Sequence, residues 1–176
     1  MKLHLGCGRD YKEGYINCDF SKEVNPDKIV DLEKKLPFKN DSVELILANH
    51  VLEHIHHFIP LMHELHRICK KNATIIIKTP FYSSWGQFND PTHVRFFTPW
   101  TFVYFQKGVY SHEVKAKKNM FEIEKVKLNF GLGNSAKLNF IFNPLINLNH
   151  KIYCRFFAWI FPCAEIYYKL KVIKSC

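Results

Sequence analysis

The first twenty residues constrain this chain most. Lys2-Leu3-His4-Leu5 runs into Gly6-Cys7-Gly8, and Tyr15-Ile16-Asn17-Cys18-Asp19 follows after a short gap. Two short apolar runs, joined through a glycine turn and ending in an acid, describe neighbouring strands of an open α/β sheet with a ligand pocket at their tips. Glycine at 6 and 8 lets the backbone turn sharply and approach a bound group, because neither position carries a Cβ. Asp19 falls at the carboxyl end of the second strand, where an acid takes the ribose hydroxyls of an adenosine.

The spacing argues against a nicotinamide dinucleotide. That fingerprint has G-x-G-x-x-G and an acid about 20 residues further on, after a helix whose N-terminus holds a pyrophosphate. Here Tyr11 stands at the third glycine position, and Asp19 follows Gly8 by eleven residues. At ~1.5 Å per residue, Arg9 to Gly14 leaves room for barely one or two helical turns, with Gly14 as their stop. An adenosine without a diphosphate suits the spacing better.

At this point the chain resembles the class I S-adenosylmethionine-dependent methyltransferases, of the compact type 11-like kind. Leu3-His4-Leu5-Gly6-Cys7-Gly8 is similar to their first motif, and Ile16 to Phe20 to their second strand with its ribose acid. Asp31-Leu32-Glu33 with Leu36-Pro37-Phe38 resembles their D-L…L-P-F segment. Val43 to Ala48 resembles the fourth strand, and Asn49-His50-Val51-Leu52-Glu53-His54-Ile55 the V-L-E-H signature after it. The resemblance covers residues 1 to 80. It implies S-adenosylmethionine as cofactor, held by Gly6, Cys7, Gly8, Asp19, Phe20, Asp31, Leu32, Asn49 and His50. Two positions depart from the pattern: His4 stands where an acid often helps hold the amino group, and Asp10 where a third glycine is usual. The methionine end is therefore expected to be held differently, through Asp10 or backbone carbonyls.

Beyond that stretch, runs of apolar residues alternate between period 2 and helical spacing, the pattern of a mostly parallel sheet. Strands are predicted at Leu3 to Leu5, Tyr15 to Cys18, Lys28 to Val30, Val43 to Ala48 and Ala73 to Lys78. Phe58, Met62, Leu65 and Cys69 mark one face of a helix from His57 to Lys71. Phe121 to Phe130 and Glu165 to Lys174 are predicted as late strands, the antiparallel pair that closes the family's sheet. The expected fold is thus α/β: a Rossmann-like, mostly parallel sheet with a late antiparallel strand in a three-layer sandwich. The whole chain, 1–176, is read as one methyltransferase domain, with 131–163 an acceptor-side or surface-binding insertion.

Methyl transfer needs an in-line nucleophile and, for a hydroxyl or amine, a base. His50 follows the fourth strand and titrates near neutrality, which suits it to that role beside Glu53 and His54. A second polar cluster, Asn89-Asp90-Pro91-Thr92-His93-Val94-Arg95, follows the fifth strand. There Asp90 and His93 are expected to orient or deprotonate the acceptor and Arg95 to meet an anionic group. The segment Thr98-Pro99 reads as a helix start with proline at its first position. The His50/His54 and His63/His66 pairs are spaced by one helical turn, but neither makes H-E-x-x-H and no cysteine set completes a site, so no metal is expected. His63 and His66 read as solvated helix positions.

The six cysteines, at 7, 18, 69, 154, 163 and 176, show no C-x-x-C pairing. They read as the reduced thiols expected of a cytoplasmic protein, and with the glycine motif so early no charged-then-apolar leader is expected. A net charge of +9 favours anionic partners, yet the lysine clusters (34–35, 70–71, 115–118, 169–174) are short and not interleaved with aromatic platforms, so no motif supports nucleic acid. Lys137 to Cys163 is rich in Phe, Ile, Leu and Trp but too interrupted to span a bilayer. Core packing, a cover for the acceptor pocket, and peripheral contact with a membrane are its three readings. The acceptor is expected to be a small molecule of a sugar or lipid pathway. The alternatives are a noncatalytic ligand-binding partner subunit and a nucleic-acid methyltransferase. Oligomeric state is not legible.

Overall fold

The computed structural model describes residues 1–106, 108, 112–115 and 119–174; Lys117, Lys118 and Cys176 lie outside them. A seven-stranded sheet runs through the chain. Its strands are β1 (Lys2–Leu5), β2 (Ile16–Asp19), β3 (Lys28–Ile29), β4 (Val43–Asn49), β5 (Cys69–Pro80), β6 (Phe121–Asn129) and β7 (Glu165–Val172), in the order β3-β2-β1-β4-β5-β7-β6. The pairs β1/β2, β1/β4, β2/β3 and β4/β5 are parallel, and β7 runs antiparallel to both β5 and β6. The mostly parallel sheet with a late antiparallel strand is as expected. The order reverses between β1 and β4, so a crevice opens beyond their carboxyl ends.

Helices are α1 (Phe58–Ile68), α2 (Trp85–Asn89), α3 (Asn139–Leu148) and the single turn α4 (His150–Ile152). One sheet face carries Leu3, Leu5, Ile46, Ala48, Ile75, Ile77, Tyr168 and Leu170, all fully buried. Helix α1 covers that face, with Phe58 against Phe97, Phe102 and Phe105 at ring separations of 5.7, 6.0 and 5.9 Å. Phe102 packs edge-on against Tyr168 at 4.7 Å. The opposite face is thinly covered: no α-helix joins β1 to β2, β2 to β3 or β3 to β4 among the described residues, and Leu45, Leu47, Ile76 and Tyr167 stay half-buried there.

Several local expectations change. Residues 9–14 form turns rather than a short helix, because the Asn17 side chain takes their backbone: its carbonyl accepts the Lys12 amide at 2.8 Å and its amide donates to the Lys12 carbonyl. Gly14 does adopt a positive φ, 76°. β5 begins at Cys69, earlier than the apolar run implies, and Asn72 sits there at φ 64°. After Thr98-Pro99 comes a 3-10 turn, Thr101–Phe105, rather than a helix. His63 and His66 are not solvated. Their Nε2 atoms lie 2.8 Å from the carbonyls of Val114 and Ile173, and burial lowers the pKa of His66.

The five described cysteines are free. Burial pushes the Cys18, Cys69 and Cys163 thiols up to about 12. No helix among the described residues is long and apolar enough to cross a membrane.

Candidate active site

A cleft of about 500 Å³ opens at the crevice, within the size range of small-ligand sites. One wall is the turn after β1. Gly6 and Gly8 both adopt positive φ, 62° and 51°, and the space beside Gly8 is open where a Cβ would point. Cys7 does not line the cleft, contrary to expectation. Its amide donates to the Cys18 carbonyl at 3.0 Å and its side chain is 2% exposed, so it anchors the turn from beneath. Asn49 does not line the cleft either, because the alternation of β4 turns it away.

Asp19 stands at the tip of β2. One carboxylate oxygen accepts the Gly8 amide at 2.9 Å and the other the Ser21 amide at 3.0 Å. Each oxygen keeps lone-pair capacity toward the cleft, as a ribose diol requires. Phe20, Val30, Asp31, Leu32 and Glu33 form the adjoining wall. Phe20 is 78% exposed there, an open aromatic face against which a purine can stack. Glu33 accepts the amides of His56 and His57 at 2.6 and 2.9 Å, which ties this wall to the N-terminus of α1.

The far wall is built after β4. His50 takes a left-handed backbone, φ 48°, which aims its ring across the cleft mouth. Its Nε2 lies 2.8 Å from Glu165 and its Nδ1 3.4 Å from the fully buried Glu53. The hydrogen bond to Glu165, then the close Glu53 carboxyl, raises its pKa to about 9. His50 is therefore an imidazolium at neutral pH, which corrects its expected role as a base.

Asp90 and His93 stand behind the cleft rather than in it; Thr92 and His54 line it instead. Asp90 accepts the Thr92 amide and hydroxyl at 2.8 and 2.6 Å, and the Thr92 hydroxyl, then its amide, hold the Asp90 carboxyl below the usual range. With its proton given to Asp90, the Thr92 oxygen accepts from His54 Nδ1, 2.8 Å away. The lone pair of His54 is then on Nε2. His93 is fixed in the same way, its Nδ1 donating to the Gln87 carbonyl at 3.0 Å, and its ring packs edge-on against His54 at 4.7 Å. Arg95 is not free for an anion: it donates to the carbonyls of Ile55 and His56 and lies over the Phe58 ring. Glu53, His54 and His93 bring one donor atom each within 4.8 Å of one another.

His4 faces away from the cleft, 1% exposed, and burial lowers its pKa. Neither His4 nor Asp10 lines the cleft. Glu165 carried no signal in the sequence, since only the pairing of β7 with β5 brings it to His50.

Sheet order, glycine turn and strand-tip acid define an α/β protein with a class I methyltransferase fold and an adenosine-type cleft. Residues 6–114 match the methyltransferase domain family, and the chain belongs to that family. No curated protein matches the sequence. Among solved structures it is similar to a SAM-dependent methyltransferase from Archaeoglobus fulgidus, with TM-score 0.60 and 17% identity over 97% of this chain and 85% of that one. An S-adenosylmethionine-dependent methyltransferase from Mesorhizobium loti gives TM-score 0.57 and 14% identity, over 97% and 89%. The [4+2]-cyclase SpnF gives TM-score 0.60 and 12% identity, over 99% and 75%.

Proposed function

We propose that the chain transfers a methyl group from S-adenosylmethionine to a small-molecule hydroxyl or amine, with His54 as the base. The reading rests on one arrangement: the cleft joins the Gly6/Gly8 turn and Asp19 on one wall to a histidine with a free Nε2 on the other. The glycine turn and Asp19 would hold the ribose, and Phe20, Asp31 and Leu32 would take the adenine. The cofactor supplies an electrophilic methyl on a sulfonium. His54 Nε2 would accept the proton that the acceptor gives up on methylation. Asp90 acts through Thr92 as a positioning residue, fixing the His54 tautomer. The His50 imidazolium, clamped by Glu53 and Glu165, orients groups at the cleft mouth.

Calorimetric titration with S-adenosylmethionine and S-adenosylhomocysteine tests the cofactor. Micromolar binding that Asp19→Ala abolishes is expected; no binding by the wild type overturns the reading. Given an acceptor from a screen of hydroxylated small molecules, His54→Gln should lower turnover by about 100-fold or more with cofactor affinity unchanged. Full turnover by that variant removes His54 from the role. Tight cofactor binding with no acceptor turned over favours the noncatalytic subunit.

A further inference from the structure

Helix α3 is amphipathic the wrong way round for a helix facing water. Asn139, Asn143 and Asn147, spaced four residues apart, form its inner face. Their side-chain carbonyls accept the backbone amides of Gly131, Phe130 and Leu128, each at 2.8 Å. The polar stripe is thus consumed by the end of β6 and the loop after it. The apolar residues point outward: Phe140 is 78% exposed and Leu148 80%, with Ile141 and Leu145 beside them. Water-facing helices show the opposite arrangement.

The following turns continue the same surface. Ile152, Phe156, Phe157, Trp159, Ile160 and Phe161 are all exposed. Between α3 and these turns lies a groove of about 480 Å³ walled by Leu145, Leu148, Ile152, Phe157 and Phe161. The patch reaches the acceptor side of the cleft, because Trp159 packs on Tyr82 at 5.6 Å and on Phe88 at 6.4 Å, and Phe88 lies on the helix leading to Asp90. So large a contiguous apolar surface marks an interaction site.

Charge identifies what covers it. From Lys125 to Ala164 the sequence contains no Asp or Glu, while Lys137, Lys151 and Arg155 are exposed among the apolar side chains. Arg155 lies 5.6 Å from the Phe156 ring centre. Exposed aromatic and aliphatic residues bordered by cations, with acids excluded, complement an anionic bilayer surface: apolar side chains enter the acyl boundary and the cations meet headgroups. We propose that residues 139–161 dock the protein on anionic membranes, lying in the interface without crossing it.

Flotation of the full chain with vesicles of phosphatidylcholine, with and without phosphatidylglycerol, tests this. The protein is expected to float with the anionic vesicles. Phe140→Ser with Leu148→Ser should weaken that partition by about tenfold or more, and Lys151→Glu with Arg155→Glu should weaken it too. These side chains are exposed, so melting temperature and cofactor binding stay as in the wild type. Failure to float with either composition, or flotation indifferent to both pairs of substitutions, overturns the proposal. A dimer that Phe140→Ser with Leu148→Ser dissociates, and that does not float, assigns the face to a second copy of the chain instead. Cofactor titration needs no vesicle, so failure here leaves the methyltransferase reading standing.

Discussion

A Cβ on Gly6 would lie 2.4 Å from Val51 Cγ2, at a φ of 62° that side chains rarely adopt. Gly6→Ala should therefore lose about 2–4 kcal/mol of stability, from backbone strain and overpacking together, read as a lower denaturation midpoint. Gly8→Ala meets no neighbour within 4 Å but keeps the strain of φ 51°, so it should lose about 1 kcal/mol of stability, less than Gly6→Ala, together with cofactor affinity. His50 sets a pH dependence. Its folded pKa of about 9 lies above the ordinary histidine value of 6.5, so its contribution is complete below 6.5 and disappears as pH rises through 9. Stability should fall over that interval, and His50→Asn, which suits the left-handed backbone, should flatten the fall; an unchanged slope shows that another group is responsible. His50 Nδ1 stands 3.4 Å from the buried Glu53 carboxyl, so we expect turnover to survive a chelator; loss restored by a divalent ion would make Glu53, His54 and His93 a metal site. Glycines and Asp19 were legible as residues, since their chemistry is local. The hydrogen-bond partners of His50 and His54 were not, because residues distant in the chain supply them.

At the scale of elements, an apolar run bounded by turn residues marks the strand to within a residue or two at Val43–Asn49 and Glu165–Val172, whereas β5 starts four residues ahead of its run, at Cys69. The local pattern fails where side chains capture backbone. Asn17 turned 9–14 away from a helix, and the inner asparagines turned α3 outward. Asn143→Ala should leave the Phe130 amide unpaired, at a cost of about 1–3 kcal/mol. Hydrogen exchange should then quicken at Phe130 and its neighbours while β1 and β4 stay protected; uniform loss of protection would mean that α3 is integral to the core.

For the whole molecule, the decisive strand is the last one. β7 lies between β5 and β6, fills the buried face with Ile166, Tyr168 and Leu170, and carries Glu165 to His50. A chain ending at Ala164 should lose cooperative unfolding altogether, because β6 would have no partner and the apolar side of β5 would be open. Retained cofactor binding by that truncation would show that the first half folds alone.

The sequence by itself determined the α/β class, the glycine turn, the strand-tip acid and the position of the cleft. Each of these follows from backbone freedom and period, which neighbouring residues dictate. Only the tertiary structure decided that His50 sits between Glu165 and Glu53, that Thr92 bridges Asp90 to His54, and that the aromatic segment shows its apolar side outward. Those outcomes depend on groups far apart in the chain, Glu165 beside His50 and Thr92 beside His54, and on hydrogen bonds whose partners no local pattern names.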